Sequence, residues 1–162
     1  MSDTAQDLLG TDIGRVVQAS FDRQGLMRSF GARLARLSPG LCEIAAPITP
    51  ETSQQHGAAH AGLTFALGDS AAGYAALTMM EPDAEVMTAE MKINLLSPAT
   101  GRALIARGRV ARAGKRLVVV TAEVAAQAED GSLRVVALMQ GTMVPVSAPS
   151  APPEPTPPAD PA

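Results

Sequence analysis

His60-Ala61-Gly62-Leu63-Thr64-Phe65-Ala66-Leu67-Gly68-Asp69-Ser70-Ala71-Ala72-Gly73-Tyr74-Ala75-Ala76-Leu77 is the stretch on which the fold turns. Extended back to Gly57, twelve of its twenty-one residues are Ala or Gly. The pattern is helical, yet Gly62, Gly68 and Gly73 lie inside it, and each glycine costs ~1 kcal/mol relative to alanine in a helix interior. A helix that keeps them is expected to have another backbone pressed close against it. That describes a central helix wrapped by a sheet.

Beyond Pro82 the period changes from helical to two. Met87, Ala89, Met91, Ile93 and Leu95 alternate with Thr88, Glu90, Lys92 and Asn94, which predicts a strand with one buried face. Three more strands are expected over residues 102–112, 115–127 and 132–144, joined by turns at Ala113-Gly114 and Glu129-Asp130-Gly131. On the other side of the helix, residues 32–37 and 41–46 read as strands about Ser38-Pro39-Gly40. Further back, Thr11-Asp12 is a helix cap, with Ile13, Val16, Val17 and Ser20 at helical spacing and Phe21, Leu26, Met27 and Phe30 continuing less regularly. The predicted order is helix, two strands, a long small-residue helix, then four strands in an antiparallel meander. Strands grouped on either side of one buried helix make an α+β layer. The domain is expected to span residues 1–146. Residues 147–162 carry seven prolines in sixteen positions, too little apolar surface to offset ordering entropy, so a disordered tail is expected there.

Composition narrows the function. A net charge of −3, no Trp, one Tyr and three Phe leave no basic footprint or stacking platform for nucleic acid. No apolar run reaches the ~18 residues of a membrane span, and the acidic N-terminus lacks the order of a signal peptide, so a cytoplasmic protein is expected. Cys42 is the single cysteine, so no intramolecular disulfide can form. Arg107, Arg109, Arg112, Lys115 and Arg116, with Arg102 and Arg134 nearby, form a basic cluster. It reads as a solvated sheet face or as an anchor for a phosphorylated ligand.

Among the polar groups in and before the central helix, Asp69 stands out. A carboxylate in the middle of an enclosed helix is desolvated and has a raised pKa, a condition kept for a salt bridge, a hydrogen-bond anchor or chemistry. His56 and His60 are four apart, but a metal site needs a third ligand, and Gly57 stands where the glutamate of His-Glu-x-x-His would be. No metal or other cofactor is expected. There is no Gly-x-Ser-x-Gly elbow, phosphate loop or dinucleotide fingerprint. Cys42, in an apolar strand with no basic neighbour, is a poor nucleophile.

His60-Ala61-Gly62, with Asp69 nine positions after the histidine and then Ser70-Ala71-Ala72-Gly73-Tyr74-Ala75-Ala76, resembles the PaaI-like acyl-CoA thioesterases of the hotdog superfamily. The likeness continues through Thr88-Ala89-Glu90-Met91-Lys92-Ile93-Asn94-Leu95-Leu96-Ser97-Pro98-Ala99, the Gly114-Lys115 turn and the closing Gly141-Thr142-Met143 strand. The resemblance implies a hotdog fold, an antiparallel sheet around the long helix, and hydrolysis of acyl-CoA. It implies that Asp69 is the carboxylate acting as general base or nucleophile. By the same likeness the Ala61 N–H polarises the thioester carbonyl, and the Gln54 amide lies near that carbonyl or the attacking water. His60 would support the loop, and the Thr88 hydroxyl would help hold the water. Gly62 and Ser70 fall beside these positions and would border the substrate, with the basic cluster on the CoA phosphates. Ala61 replaces the commoner glycine of the signature, so the donor survives where the backbone is helical.

Eight residues separate Ala61 from Asp69, about 12 Å along one helix, so both cannot reach one carbonyl carbon. Two helices antiparallel across a two-fold axis would join one subunit's Ala61 to the other's Asp69, so a dimer or a dimer of dimers is expected. Two alternatives share the fold. A hotdog hydratase or dehydratase usually shows His-Phe, or histidine with nearby prolines, which residues 54–62 lack. A non-catalytic acyl-CoA-binding scaffold would not need Asp69.

Overall fold

The computed structural model describes residues 7–147. The elements in chain order are α1 (Asp12–Arg23), α2 (Gly25–Ser29), β1 (Arg33–Ser38), β2 (Leu41–Pro47), a 3₁₀ turn (Pro50–Thr52), α3 (Ala61–Leu77), β3 (Ala84–Leu95), β4 (Ala103–Ala113), β5 (Val118–Gln127) and β6 (Leu133–Ser147). β6 extends one residue past the expected domain end. The rest of the proline-rich segment lies outside the described residues.

One six-stranded antiparallel sheet runs β1-β2-β4-β5-β6-β3. This corrects the expected meander. β4, β5 and β6 do follow one another through tight turns, but β3 pairs with β6 at the far edge, while β4 pairs with β2. The link between β3 and β4 is residues 96–102, which contain Pro98 and no short hairpin turn, and it crosses the end of the sheet. The Arg102 carbonyl accepts the Ile48 N–H, and the Arg102 N–H bonds the Gln127 carbonyl, so the crossing is tied on both sides.

α1 starts where Thr11 caps it, the Thr11 Oγ1 accepting the Gly14 N–H at 3.2 Å. Val17 and Phe21 turn inward, whereas Val16 stays exposed. The helix ends at Gln24, whose extended backbone (ψ 105°) separates it from α2. The irregular spacing after Ser20 is thus a break between two helices.

α3 begins at Ala61; Gly57 precedes it in a turn at φ +83°. The helix lies on one face of the sheet, with Leu63, Leu67, Ala71, Ala72, Ala75 and Ala76 fully enclosed. The close backbone approach is real, but its glycine is in the sheet. A methyl on Gly108 of β4 would overlap the Ala71 carbonyl and the Ala72 nitrogen. Gly68 of the helix instead faces the Met139 thioether, and Gly73 has Val86 at an ordinary 3.9 Å. Small residues on α3 and one missing side chain on β4 therefore bring helix and sheet together.

β3 carries a bulge between Thr88 and Glu90. Ala89 is the extra residue, and the inserted position flips the alternation. Met91 and Ile93 pack against the core as expected, but so does Val86, while Met87 is 58% exposed. Thr88, expected opposite Met91, shares its face.

Gly108→Ala should be strongly destabilising, by about 3 kcal/mol, because backbone cannot yield as a side chain can. Gly73→Ala should leave stability equal or raise it by up to ~1 kcal/mol. Urea denaturation of the two variants against the parent checks the contrast.

Candidate active site

Asp69 lies in the second half of α3, half-buried, and Thr88 reaches it from the bulged strand. The Thr88 hydroxyl donates to Asp69 Oδ1 at 2.9 Å. Burial pushes the Asp69 carboxyl above its ordinary range, and the Thr88 hydrogen bond offsets part of that rise. Oδ2 has no partner among the described residues. The carboxylate is thus oriented through one oxygen and open through the other. It borders a cavity of about 370 Å³, shared with Phe65, Ser70, Gly73, Val86 and Thr88 and roofed by α1 and α2.

Ala61 lies elsewhere. As the first residue of α3 its N–H has no intrahelical acceptor, and none is found among the described residues. Its φ is not positive, so the methyl group in place of glycine costs nothing there. His60 is the cap: Nδ1 accepts the Gly62 N–H at 2.9 Å, and the His60 N–H bonds the Thr52 carbonyl at 2.9 Å. Gly62 therefore spends its donor on His60, while the Ala61 donor is left for another acceptor. Gln54 sits in the loop that leads to the helix. Its Oε1 accepts the His56 N–H, and its backbone N–H bonds the Ala58 carbonyl. The Ala59 N–H bonds the Ala99 carbonyl at 2.9 Å, pinning this loop to the crossing segment. Gln54 and Ala61 border a second cavity of about 340 Å³ with Thr64, Leu95, Leu96 and Pro98.

Within one chain the expected residues thus fall into two groups. Asp69, Thr88 and Ser70 line one cavity; Gln54 and Ala61 line the other, with His60 and Gly62 at its helix end. The basic cluster joins neither. Arg107 lies on the sheet face away from α3, where its Nε donates to Glu43 Oε1 at 2.7 Å. Arg109 shares that face, and Arg112, Lys115 and Arg116 are exposed at the far end of β4 and its turn. His56 and His60 form no metal-binding group among the described residues. Cys42 is buried, and desolvation, with Glu43 adding to it, pushes its thiol well up, which leaves it inert.

Two polar cavity residues, Ser20 and Gln24, were not among the site residues expected from the sequence. Gln24 Nε2 donates to the Tyr74 hydroxyl at 2.8 Å, Tyr74 donates to Ser20 Oγ at 3.3 Å, and Ser70 Oγ donates to Gln24 Oε1 at 3.4 Å. Nothing local marks Ser20 or Gln24, because each meets α3 some fifty positions away. The break at Gln24 was their only trace in the sequence.

An antiparallel sheet packed on one long central helix is the hotdog architecture expected from the sequence. The chain matches the thioesterase superfamily over residues 56–131. A crystal structure of a thioesterase family protein from Silicibacter pomeroyi is 40% identical, with a TM-score of 0.81, covering 84% of this chain and 99% of that one. A protein of Saccharolobus solfataricus named as an esterase is 30% identical over 75% of this chain and 78% of its own. PaaI of Escherichia coli, from the phenylacetic acid degradation operon, shares the fold at a TM-score of 0.73 and 20% identity, covering 83% and 94%. The chain belongs to the thioesterase superfamily and has the PaaI-like hotdog fold. It is a thioester hydrolase by family. No helix among the described residues is long and apolar enough to cross a membrane.

The raised Asp69 pKa carries a stability consequence. In the window between its ordinary and folded pKa values the folded protein binds more protons than the unfolded one, so stability falls as pH rises through that window. Asp69→Asn removes the desolvated charge and should raise the melting temperature at pH 7–8. The gain should vanish below the ordinary carboxylate pKa of about 3.9, where the parent is protonated in both states. Melting curves of both proteins from pH 3.5 to 8 check it.

Proposed function

We propose that the protein hydrolyses acyl-CoA thioesters to a free acid and CoA, at two equivalent sites shared across a two-fold dimer, with Asp69 as the catalytic carboxylate. The observation that carries this reading is the separation of the two half-sites in one chain. The helix N-terminus and the carboxylate open into different cavities, so one chain holds no complete site.

β3 supports the way they join. It is a terminal strand twelve residues long, with one edge unpaired among the described residues, a natural template for another strand. Its first half, Val86 and Thr88, borders the Asp69 cavity, and its end, Leu95 with Leu96, borders the Ala61 cavity. Antiparallel pairing of β3 with its own copy would set the start of one strand against the end of the other. Each Asp69 cavity would then meet an Ala61 cavity, twice. The exposed side chains agree. Ala61, Gly62 and Phe65 form an uncovered stripe that continues into the partly buried Ala66, Asp69 and Ser70, and Leu95 and Leu96 are more than half exposed. A second copy would cover both.

In this site the Ala61 N–H, with the partial positive charge of the helix start, binds the oxygen that becomes negative as the carbonyl turns tetrahedral. The Gln54 amide stands beside it, and His60 fixes the first turn so that the donor aims outward. Asp69, from the other subunit, takes a proton from water or attacks the carbonyl carbon directly. Both routes need the ionised carboxylate, and the desolvation that raises its pKa makes it the stronger base. Thr88 holds one oxygen and leaves the other to react.

Asp69→Asn should lower kcat by at least ~10²-fold while leaving the affinity for an unreactive acyl-CoA thioether little changed. Thr88→Ala should cost less. In the parent, kcat/KM should fall on the acid side at a pH above the ordinary carboxylate range. A folded Asp69→Asn protein with the parent rate would remove the proposal.

The shared site has its own test. Gln54→Ala should lose at least ~10-fold by itself. Co-refolding it with Asp69→Asn makes mixed dimers in which one site has Asp69 and Gln54 intact and the other has neither. Random assortment then returns about a quarter of the parent activity, far above the mean of the two variants. Sites contained within one chain would show no recovery, and light scattering should give a dimer or tetramer.

A further inference from the structure

We propose that residues 149–161 dock as a polyproline II ridge in a groove across one end of their own chain's sheet. The sequence of this segment has a period. Pro149, Pro152, Pro155, Pro158 and Pro161 stand at every third position, and a polyproline II helix has three residues per turn. All five prolines then share one edge of such a helix, while Glu154 and Asp160 share another. Pro153 and Pro157 fall off the ridge. A ridge of this kind is stiff before it binds, so docking it in an apolar groove costs little ordering entropy.

The groove lies where α3 ends. Met79, Met80, Ala84, Ala113, Lys115 and Pro145 line a cavity of about 570 Å³. Met79 and Ala113 also border a neighbouring cavity of about 320 Å³, with Leu41 and Arg112. Together the two run across the sheet end from β3 to β2. Met79, common to both, is 47% exposed, and Leu117 on the β4–β5 turn is 46% exposed, apolar surface that a docked segment would cover. The floor is held in place by hydrogen bonds. Thr78 Oγ1, at the end of α3, accepts the Gly40 N–H at 2.8 Å. The Gly40 carbonyl accepts the Val110 N–H at 2.9 Å, and the Leu117 carbonyl accepts the Gly114 N–H at 3.0 Å.

Position, length and charge select this segment as the occupant. It starts at the rim, because Ser147 pairs with Ala84, and Ala84 and Pro145 both line the groove. Its length suits the span. Four strand spacings separate β3 from β2, about 19 Å in all. Glu154 comes seven residues after Ser147, a reach of about 22 Å in polyproline II. The charges are complementary. Arg112 and Lys115 line the groove, against one acid, Glu81, among the described lining residues, and Arg116 follows Lys115 on the exposed turn. The segment carries Glu154 and Asp160 and no cation. A ridge laid from β3 toward β2 brings Glu154 to the Arg112 side.

The test is oxidative footprinting of the whole chain, with hydrogen peroxide as the probe and mass spectrometry reading each methionine. A tether this short holds the segment at about 1 mM, so a groove with a Kd of ~0.2 mM is occupied about five-sixths of the time and Met79 oxidises about sixfold more slowly. Pro152→Ser with Pro155→Ser breaks the ridge and should restore most of that rate. Pro153→Ser with Pro157→Ser leaves the ridge whole and should not. Glu154→Lys should speed Met79 oxidation as well, and adding Arg112→Glu should return the slow rate. Met87, 58% exposed on β3, controls for peroxide dose and should oxidise equally in every variant. An unchanged Met79 rate in the ridge variant, equal acceleration by both proline pairs, or no rescue by the charge swap overturns the proposal. So does protection of Met79 that fades on dilution while light scattering gives the same assembly, because the covering segment then comes from another molecule.

Discussion

The contact between the α3 backbone and Gly108 sets the geometry of everything else. Helices usually pack on sheets through side chains, which hold the axis well away from the strands. Here a strand residue without a side chain meets Ala71 and Ala72, so the helix sinks against β4. Ala75 and Ala76 are fully buried in the same contact, and β2, β4 and β5 all pack against the helix. A helix this deep has no large polar face. Asp69 is spared full burial because it lies on the side of α3 that faces β3 and the α1–α2 roof, where the sheet is least complete.

The bulge at Ala89 is the second device. Without it, Thr88 would face away from the core with Glu90 and Lys92. One extra residue turns Thr88 toward Asp69 and sends Met87 outward, while β3 keeps its pairing with β6 on both sides of the irregularity. A bulge next to a reactive group is a common way to re-aim one side chain without breaking a strand. Its cost is local: one unpaired position in an edge strand.

These two devices explain what could be read from the chain and what could not. The long small-residue helix, the strands and most turns were legible because composition and period are local properties. Asp69 was legible for the same reason: a carboxylate is conspicuous amid Ala, Gly and Leu. The tight approach was expected, but the sequence offers no way to tell whether a helix glycine or a strand glycine makes it. Gly108 sits in an ordinary alternating strand. Sheet order failed because antiparallel partners are chosen by long-range packing, and β3 looks the same whether it pairs with β4 or β6. The bulge was hidden since Met87 and Ala89 fit a continuous alternation as well as a broken one. Ser20 and Gln24 were out of reach for a simpler reason: fifty residues separate them from their partners on α3.

Division of labour along α3 follows from the electrostatics of a helix. Its first turn offers an unpaired N–H and partial positive charge, which suits an oxygen acquiring negative charge. That same field would stabilise a nearby carboxylate, lower its pKa and weaken it as a base. Placing Asp69 two turns further on removes it from the field of its own helix start, which fades within the first turn, and puts it where burial raises its pKa instead. One helix can therefore hold a good electrophilic end and a good basic middle, but not bring them to the same atom. In the proposed dimer a second copy of the chain would resolve that conflict, supplying the N-terminal donor to the substrate oxygen from a direction its own helix cannot. Under the proposed mechanism, dimerisation would be a condition of the chemistry and not an addition to it.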